Sequence, residues 1–503
     1  YIGPGHTTDR PILMGGGGSE RAVIESSGAG PLVLNGDVLT NGNTHFFTLG
    51  GSNLGDNTFS GALPPANGTG VTNLVKEGDG KWIVSGSSPD LDGTVFVDFG
   101  ELVITGDLGT PATRLTRVQP NAGGVLTLQG GVIYAGDLNN TSSTLDFRSG
   151  ELSLNANSTA GGAGSFIIGT AGAGTLRLQG GDQAFGAIAL QGADDTLEIT
   201  TGSHSFTNLD NSAGGTLTLT DGQISINGGT FTDNVPAGTT RDIAPRIVGS
   251  GGFTKLGAGT LNFTETTQHT YSGPTRIEAG TLELVGTSGL PISETFIAAG
   301  ATLIVANNSG GDGTGGLSGD GTLVTGDGAG IGLEPASGTF TFGGSIVGEG
   351  RLVKRRAGTQ RLSGANTYTG ATVIEATSGR LEVVPGGSIN GTSAVSVGGQ
   401  SRFVVAGGTV VTTGDVTVAT NGRLDVLGGS LRANRLDRGG AGGLNWTAGT
   451  IDLADAVVIQ DDPFDPLSPF RDQLTLDAGK TLRTDGTVTI AVDGEATLAG
   501  GPL

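Results

Sequence analysis

The sequence of 503 residues contains no cysteine, only four histidines, and aromatic side chains at 5% of its positions. Without cysteine the chain forms neither a disulfide framework nor a cysteine-based metal site. It also has no run of about 18 apolar residues, the length that a membrane-spanning helix requires. We therefore predict no membrane insertion of this segment.

Basic residues are scarce: the chain has 26 lysines and arginines but 47 aspartates and glutamates, which gives a formal net charge of −21. Nucleic-acid-binding domains carry a basic footprint, and so we predict no nucleic-acid partner. The same acidity disfavours docking to anionic lipid. An acidic surface favours solubility and is able to hold divalent cations loosely.

Glycine is abundant, with 97 residues, and it separates short stretches of alternating apolar and polar side chains. The segment 247–284 shows this pattern best, because Leu282 and Leu284 alternate with polar neighbours and similar pairs precede them. Alternation over four or five residues predicts half-buried strands. Gly257 and Gly280 stand where the chain must turn, since glycine alone tolerates positive φ cheaply.

Related sequences occur at 72–104 and again from position 346, and one lysine keeps its place in the three copies: Lys76, Lys255 and Lys354. We predict that each lysine is an exposed strand residue beside a turn. A site for an anionic polymer is the alternative.

A period near twenty residues underlies most of the chain. Leucines that begin similar strands are spaced as follows: Leu126 to Leu145, 19 residues; Leu176 to Leu197, 21; Leu197 to Leu217, 20; Leu424 to Leu444, 20. Short strands and tight turns at a fixed period mark a solenoid, in which each turn of chain stacks on the one before. At about 20 residues per rung the chain would hold on the order of 25 rungs.

The predicted fold is therefore all-β, a right-handed parallel β-helix or β-solenoid with rungs of about 20 residues. Residues 1–20 lack periodic strands and are expected to be an N-terminal extension or cap. Residues 21–503 are expected to form a continuous solenoid, with a candidate break near 234–246. The glycine-rich segment 310–330 is expected to be a loop on one face.

Three stretches of the central segment, 253–261, 271–275 and 279–282, resemble the autotransporter-associated β-strand repeat of large secreted bacterial surface proteins. That repeat reads roughly Gly-Leu-x-Lys-x-Gly-x-Gly-Thr-Leu, then Asn-Thr-Tyr-x-Gly-x-Thr, then Ala-Gly-Thr-Leu. The resemblance implies a β-solenoid passenger region and an extracellular or cell-surface location.

A later copy matches the same pattern within 352–372 but departs from it at Arg355, Arg356 and Gln360. Gln360 stands where Leu261 is expected to point inward. Because the motif describes architecture, it says little about function.

One dense basic cluster and one acidic segment are candidates for self-association. The basic cluster consists of Arg351, Lys354, Arg355, Arg356 and Arg361. The acidic segment contains Asp461, Asp462 and Asp465. Opposite charges could guide head-to-tail or lateral docking between copies. Ordinary solvated charge is the alternative.

Catalytic and cofactor signatures are weak. The stretch 311–316 matches G-x-G-x-x-G, but a chance match is expected in so glycine-rich a chain and no helix follows it. The aspartates and glycines of 310–327 lack the phasing of a calcium-binding repeat. The histidines His6, His45, His204 and His269 lie far apart and form no triad signature. We therefore predict no cofactor, no metal site and no enzymatic activity.

The leading hypothesis is a non-enzymatic extracellular structural β-solenoid, a cell-surface rod or a subunit of a filament or layer. An adhesin or polysaccharide-binding passenger, with surface glycans as candidate partners, is the first alternative. A carbohydrate-active β-helix enzyme is the second. The chain begins at Tyr1 without methionine, and we expect it to be a processed or trimmed product.

Overall fold

The structure is a computed structural model. It describes residues 1–15, 19–65, 69–140, 144–156, 164–286, 288–306, 312–462, 465 and 467–499. No helix occurs among these residues, and so none there is long and apolar enough to cross a membrane. Strands make up 55% of the described residues.

The chain forms two compact units in sequence. The first comprises 1–234 and 243–251, and the second comprises 235–242 and 252–503. The break near 234–246 stays a prediction. Whether 21–503 behaves as one continuous domain stays a prediction.

The first unit is built from short strands. They are His6–Thr8, Ile12–Leu13, Glu20–Glu25, Leu32–Leu34, Val38–Leu39, His45–Gly50, Asn57–Phe59, Thr72–Lys76, Lys81–Val84, Thr94–Val97, Gly100–Ile104, Leu115–Pro120, Gly124–Leu138, Thr144–Leu154, Phe166–Ile168, Gly174–Gln179, Ala184–Leu190, Thr196–Thr201, Ser203–Asn211, Thr216–Leu219, Gln223–Ile226, Thr230–Asn234 and Arg246–Gly249.

The strand Thr240–Ile243 lies where the first unit gives way to the second. The strands of the second unit are Gly252–Leu256, Thr260–Phe263, Thr275–Ile277, Thr281–Leu284, Thr295–Ile297, Thr302–Val305, Asp312–Thr314, Leu317–Gly319, Thr322–Thr325, Gly330–Leu333, Thr339–Phe342, Ser345–Gly348, Arg351–Lys354, Thr359–Leu362, Ala365–Asn366, Thr372–Ile374, Arg380–Val383, Ser388–Thr392, Val395–Val397, Arg402–Thr412, Val416–Val418, Arg423–Ala433, Leu436–Asp437, Gly443–Leu453, Val457–Ile459, Gln473–Asp477, Lys480–Thr484, Val488–Ile490 and Glu495–Ala499.

Strands pair in parallel with strands one rung further along the chain. The four leucine pairs whose spacing predicted a solenoid are all register partners, which confirms the stacking. The chain is a parallel β-solenoid of about 22 turns with rungs of about 21 residues. The number of turns falls below 25 because several early rungs are longer. His45, for example, pairs with Thr72, 27 residues on.

Alternation along each strand places one set of side chains in the lumen of the coil. Phe147, Phe166, Phe185 and Phe206 occupy successive rungs of the first unit, and their ring centroids lie 6.3, 6.3 and 5.2 Å apart. All four rings are buried. A single rung could not bury such side chains, and so each rung depends on its neighbours for stability.

The first turn of the coil lies within the segment expected to be an extension or cap. His6–Thr8 pairs in parallel with Leu32–Leu34, and Ile12–Leu13 pairs with Val38–Leu39. A capping role for 1–20 stays a prediction.

The segment 310–330 was expected to be a loop, and this expectation is wrong for the part that the structure describes. Leu317–Gly319 pairs with Thr295–Ile297, and Thr322–Thr325 pairs with Thr302–Val305. The register continues because apolar Leu317 and Leu323 still fall at lumen positions, where both are buried.

Candidate functional site

The three motif lysines are buried, and the prediction that they are exposed strand residues is wrong. Lys76, Lys255 and Lys354 have no solvent-accessible surface. Each lysine follows a buried apolar residue by two positions, Leu74 in the first copy and Phe253 in the second, so its side chain points to the same inner face of the strand. An anionic polymer therefore cannot reach these ammonium groups from outside.

Each buried ammonium donates hydrogen bonds to carbonyl oxygens of the turn that follows it. Lys255 Nζ lies 2.7 Å from the carbonyl oxygens of Leu256 and Gly257 and 3.1 Å from that of Ala279 on the next rung. Lys76 Nζ contacts the equivalent three carbonyls at 2.6 to 2.9 Å. Gly257 has a φ of 72°, so its carbonyl turns inward, toward the amine. The lysine thus supplies a hydrogen-bond donor to buried carbonyls of the tight turn and of the next rung.

Burial also changes the acidity of these amines. Loss of solvent lowers the pKa of Lys76 to about 8, although Asp79 and Glu77 nearby favour its charged form. Burial lowers the pKa of Lys354 to about 8 as well, against the opposing effect of Glu334. The direction follows because a low-dielectric environment penalises the charged form of an amine.

The tyrosine and threonine of the repeat form a second buried pair. Tyr271 Oη lies 2.6 Å from Thr275 Oγ1, and Tyr368 Oη lies 2.7 Å from Thr372 Oγ1. Burial raises the pKa of both tyrosine hydroxyls, so they remain protonated. The spacing Tyr-x-x-x-Thr is therefore a structural device that pairs two hydroxyls inside the coil.

Gln360 occupies the lumen position that Leu261 fills in the preceding copy, as expected. Its Oε1 accepts from the Leu317 amide at 3.0 Å, and its Nε2 donates to the Leu317 carbonyl at 2.9 Å. The strand Leu317–Gly319 pairs with the next rung only at Gly319 and Phe342. The Gln360 amide therefore supplies the bonds that Leu317 does not obtain from that rung.

The predicted basic cluster is extensively paired with carboxylates from neighbouring rungs. Arg355 lies 3.1 Å from Glu334 and 3.0 Å from Glu375, and Arg356 lies 3.2 Å from Glu334. Of the remaining members, Arg361 lies 2.5 Å from Glu382, Lys354 is buried, and Arg351 is exposed. The structure thus brings the arginines together with glutamates.

The predicted acidic segment keeps part of its charge at the surface. Asp461 and Asp462 are exposed. Asp465 is half-buried, and its carboxylate accepts from Gln460 Nε2 at 2.6 Å and from the Leu467 amide at 2.9 Å. Asp465 therefore shapes its own loop, and a role of these residues in self-association stays a prediction.

The histidines form no common site. His45, His204 and His269 are buried. His204 Nε2 lies 3.0 Å from the Thr201 carbonyl oxygen, and the centroid of the His269 ring lies 4.4 Å from that of the Phe263 ring. Burial lowers the pKa of His204. Within the described ranges, no group of three or more His, Asp and Glu is placed to hold a metal ion.

The outward face of the first unit carries a depression of about 350 Å³ lined by both aromatic and charged side chains. Its lining residues are Arg21, Phe46, Val75, Glu77, Phe96 and Asp98. Parallel register assembles it, because Thr48, Val75 and Phe96 occupy one column of three successive rungs. Arg21 spans the depression, with its guanidinium paired to Glu77 and its Nε 3.2 Å from Thr48 Oγ1.

A second depression of about 480 Å³ shares two of these carboxylates. Glu77, Gly78, Asp98, Phe99, Asn121 and Ala122 line it. The Phe99 side chain is 53% exposed. Asn121 Nδ2 donates to Asp98 Oδ1 at 2.6 Å, which fixes that carboxylate at the rim. We call the two depressions together the aromatic–acidic face.

Sequence reasoning missed the aromatic–acidic face, although part of its signal is visible. In a strand with period-2 alternation, an aromatic residue beside an inward apolar residue must face outward. Phe46 beside Phe47, and Phe96 between Val95 and Val97, both meet this condition.

Residues 253–284 and 352–383 match the family described as Passenger-associated-transport-repeat. These two segments are passenger-associated transport repeats. Each contains the buried lysine and the Tyr–Thr pair described above, so these repeat positions lie in the lumen and its turns.

A Brucella suis biovar 1 (strain 1330) protein described as Adhesin BmaC autotransporter is 28% identical over 363 residues, which cover 60% of this chain and 10% of that protein. The chain therefore spans about a tenth of the length of this curated relative. No solved structure matches the chain. The passenger repeats, the relative and the β-solenoid all fit an autotransporter passenger region, which implies an extracellular or cell-surface location.

Proposed function

We propose that this chain is a non-enzymatic adhesin segment, a passenger β-solenoid that presents a contact surface to partners outside the cell. The observation that carries the proposal is its similarity over 363 residues to a protein described as an adhesin autotransporter. The contact surface is the aromatic–acidic face, where the Phe99 ring is exposed and the Phe46 and Phe96 rings are half-buried.

The absence of catalysis is part of the proposal. The repeat residues Lys255, Tyr271 and Thr275 are occupied in holding turns and rungs together. Within the part of the chain that the structure describes, the three buried histidines each pack separately and no metal-binding cluster is formed.

Adhesion by beads coated with the purified full chain tests the proposal. Coated beads are counted on a panel of cultured cell types beside beads coated with albumin. We expect binding above the albumin background that soluble full chain competes away. Equal counts for both coatings on every cell type would remove the proposed function.

A second candidate is a structural role as a surface rod or a subunit of a filament or layer. The exposure of Arg351 and of Asp461 favours it, because these opposite charges are accessible to a second copy. Reversing both charges, Arg351→Glu with Asp461→Lys, should leave assemblies intact in electron micrographs at low salt, whereas either single reversal should dissolve them. Single particles of the unmodified chain at every salt concentration would exclude this role.

A further inference from the structure

We propose that the aromatic–acidic face binds a basic segment of a partner protein, taking a guanidinium or ammonium group beside Phe99, between Glu77 and Asp98. This inference rests on the proposed function, since it names the class of partner that the adhesive surface recognises.

The first depression shows which chemistry the face accommodates. Arg21 lies among Phe46, Phe96 and Val75 and pairs with Glu77 across two rungs. The molecule thus places one of its own guanidinium groups in a depression lined by aromatic side chains and a carboxylate. Both kinds of group favour a cation, since aromatic faces carry negative charge density and carboxylates accept bidentate guanidinium bonds.

The second depression repeats that chemistry, but its lining contains no basic side chain. Glu77 and Asp98 line both depressions, and Phe99 takes the place of the other rings. Asp98 receives one hydrogen bond from the neutral Asn121 side chain, which orients the carboxylate without neutralising it. An incoming cation would find the Asp98 carboxylate, an exposed ring, and the Glu77 carboxylate that already pairs with Arg21.

The surrounding charge also favours a basic partner. Glu77 and Asp98 stack on adjacent rungs, because the Asp98 amide donates to the Lys76 carbonyl, and Glu25 begins the same column. Lys76 lies below, but its ammonium is buried and donates to the Glu77, Gly78 and Phe99 carbonyls. The net charge of −21 adds long-range attraction for basic partners.

A basic peptide suits this face better than a neutral glycan. A glycan would pack on the exposed ring, but it would leave the Asp98 charge without a counter-ion. Salt dependence separates the two, because added salt screens a cation–carboxylate contact and scarcely alters the stacking of a sugar.

The test measures binding of a fluorescent peptide, Gly-Arg-Leu-Arg-Leu-Arg-Gly, to the full chain by fluorescence anisotropy. We expect saturable binding at low salt that weakens about tenfold on Phe99→Ser and on Asp98→Asn, the loss expected for a ring or a carboxylate against a cation. Val492→Ser and Asp90→Asn, which change exposed residues elsewhere, serve as matched controls and should bind as the unmodified chain does.

The same variants are also placed on beads in the adhesion assay, and a neutral-glycan array is read at low and high salt. Peptide binding that is absent, or that is equal in all four variants, overturns the inference. So does salt-insensitive glycan binding that Phe99→Ser abolishes. If beads still adhere while the peptide does not bind, the adhesin function stands and the basic partner is wrong; if no beads adhere, the function itself fails.

Discussion

The buried lysine of the passenger repeat should be a principal source of stability for its turn, and Lys255→Met tests this. Methionine keeps most of the volume of the lysine stem but removes the ammonium. The substitution removes the Nζ donor from three carbonyls, those of Leu256, Gly257 and Ala279.

The expected loss follows from two opposing effects. An unsatisfied buried acceptor costs about 1–3 kcal/mol, and two are created here, because the Leu256 carbonyl also accepts from the Val235 amide at 3.1 Å. Removing the ammonium also relieves the cost of burying a charge, which offsets part of that loss. We therefore expect a net destabilisation of about 2–4 kcal/mol.

Hydrogen exchange by mass spectrometry on the full chain is the suitable assay, because stacked rungs open locally. Peptides covering 252–284 should exchange faster in Lys255→Met, while distant rungs keep their protection. Lys81→Met is the matched control, since Lys81 is partly exposed and lies 2.8 Å from Asp56 at the surface. Equal protection of 252–284 in both variants would refute the structural role of the buried lysine.

Three further outcomes follow from the same lumen contacts. Burial lowers the pKa of Lys354 from 10.5 to about 8, so between these pH values the unfolded chain binds more protons than the folded chain. The stability of the unmodified chain relative to Lys354→Met should therefore rise with pH across that window, which melting temperatures at pH 7.5 and 10 would show. A difference in melting temperature that stays constant contradicts this. Tyr271→Phe and Thr275→Val should each cost about 1–2 kcal/mol in denaturant unfolding, and the double variant less than the sum; strict additivity would remove the pair. Gln360→Leu should accelerate exchange of the Leu317 amide although leucine stands at this place in the preceding copy, and unchanged exchange would mean that the amide bonds are dispensable.

The rung period and the stacking partners could be predicted from sequence because both depend on local alternation. Leu176 and Leu197 are 21 residues apart and are register partners, as the spacing requires. Lys255 was wrongly predicted to be exposed because its charge was given more weight than its inward position in the alternating pattern of the strand. Lys255 faces the same side of its strand as buried Phe253. The carbonyl oxygens that accept hydrogen bonds from its ammonium come together only when two rungs are stacked.

The aromatic–acidic face lay beyond prediction for a related reason. Phe46 and Phe96 are 50 residues apart, and their approach depends on the lengths of two intervening rungs. The rung that takes His45 to Thr72 is longer than the one that takes Leu74 to Val95. No local sequence pattern fixes the lengths of these rungs. Which side chains lie next to each other on the outer face is therefore known only from the strand register of the folded chain.

The most direct test of the solenoid is a cross-link between register partners, which the absence of cysteine makes unambiguous. Thr281 and Thr302 face outward on adjacent rungs at the same register position. Their Cα atoms should lie about 4.8 Å apart, within the span of a disulfide. We predict that Thr281→Cys with Thr302→Cys forms an intramolecular disulfide in the folded chain, whereas Thr281→Cys with Ile304→Cys, two residues out of register, does not. Efficient cross-linking of the second pair, or none of the first, would contradict the stacked coil on which the account depends.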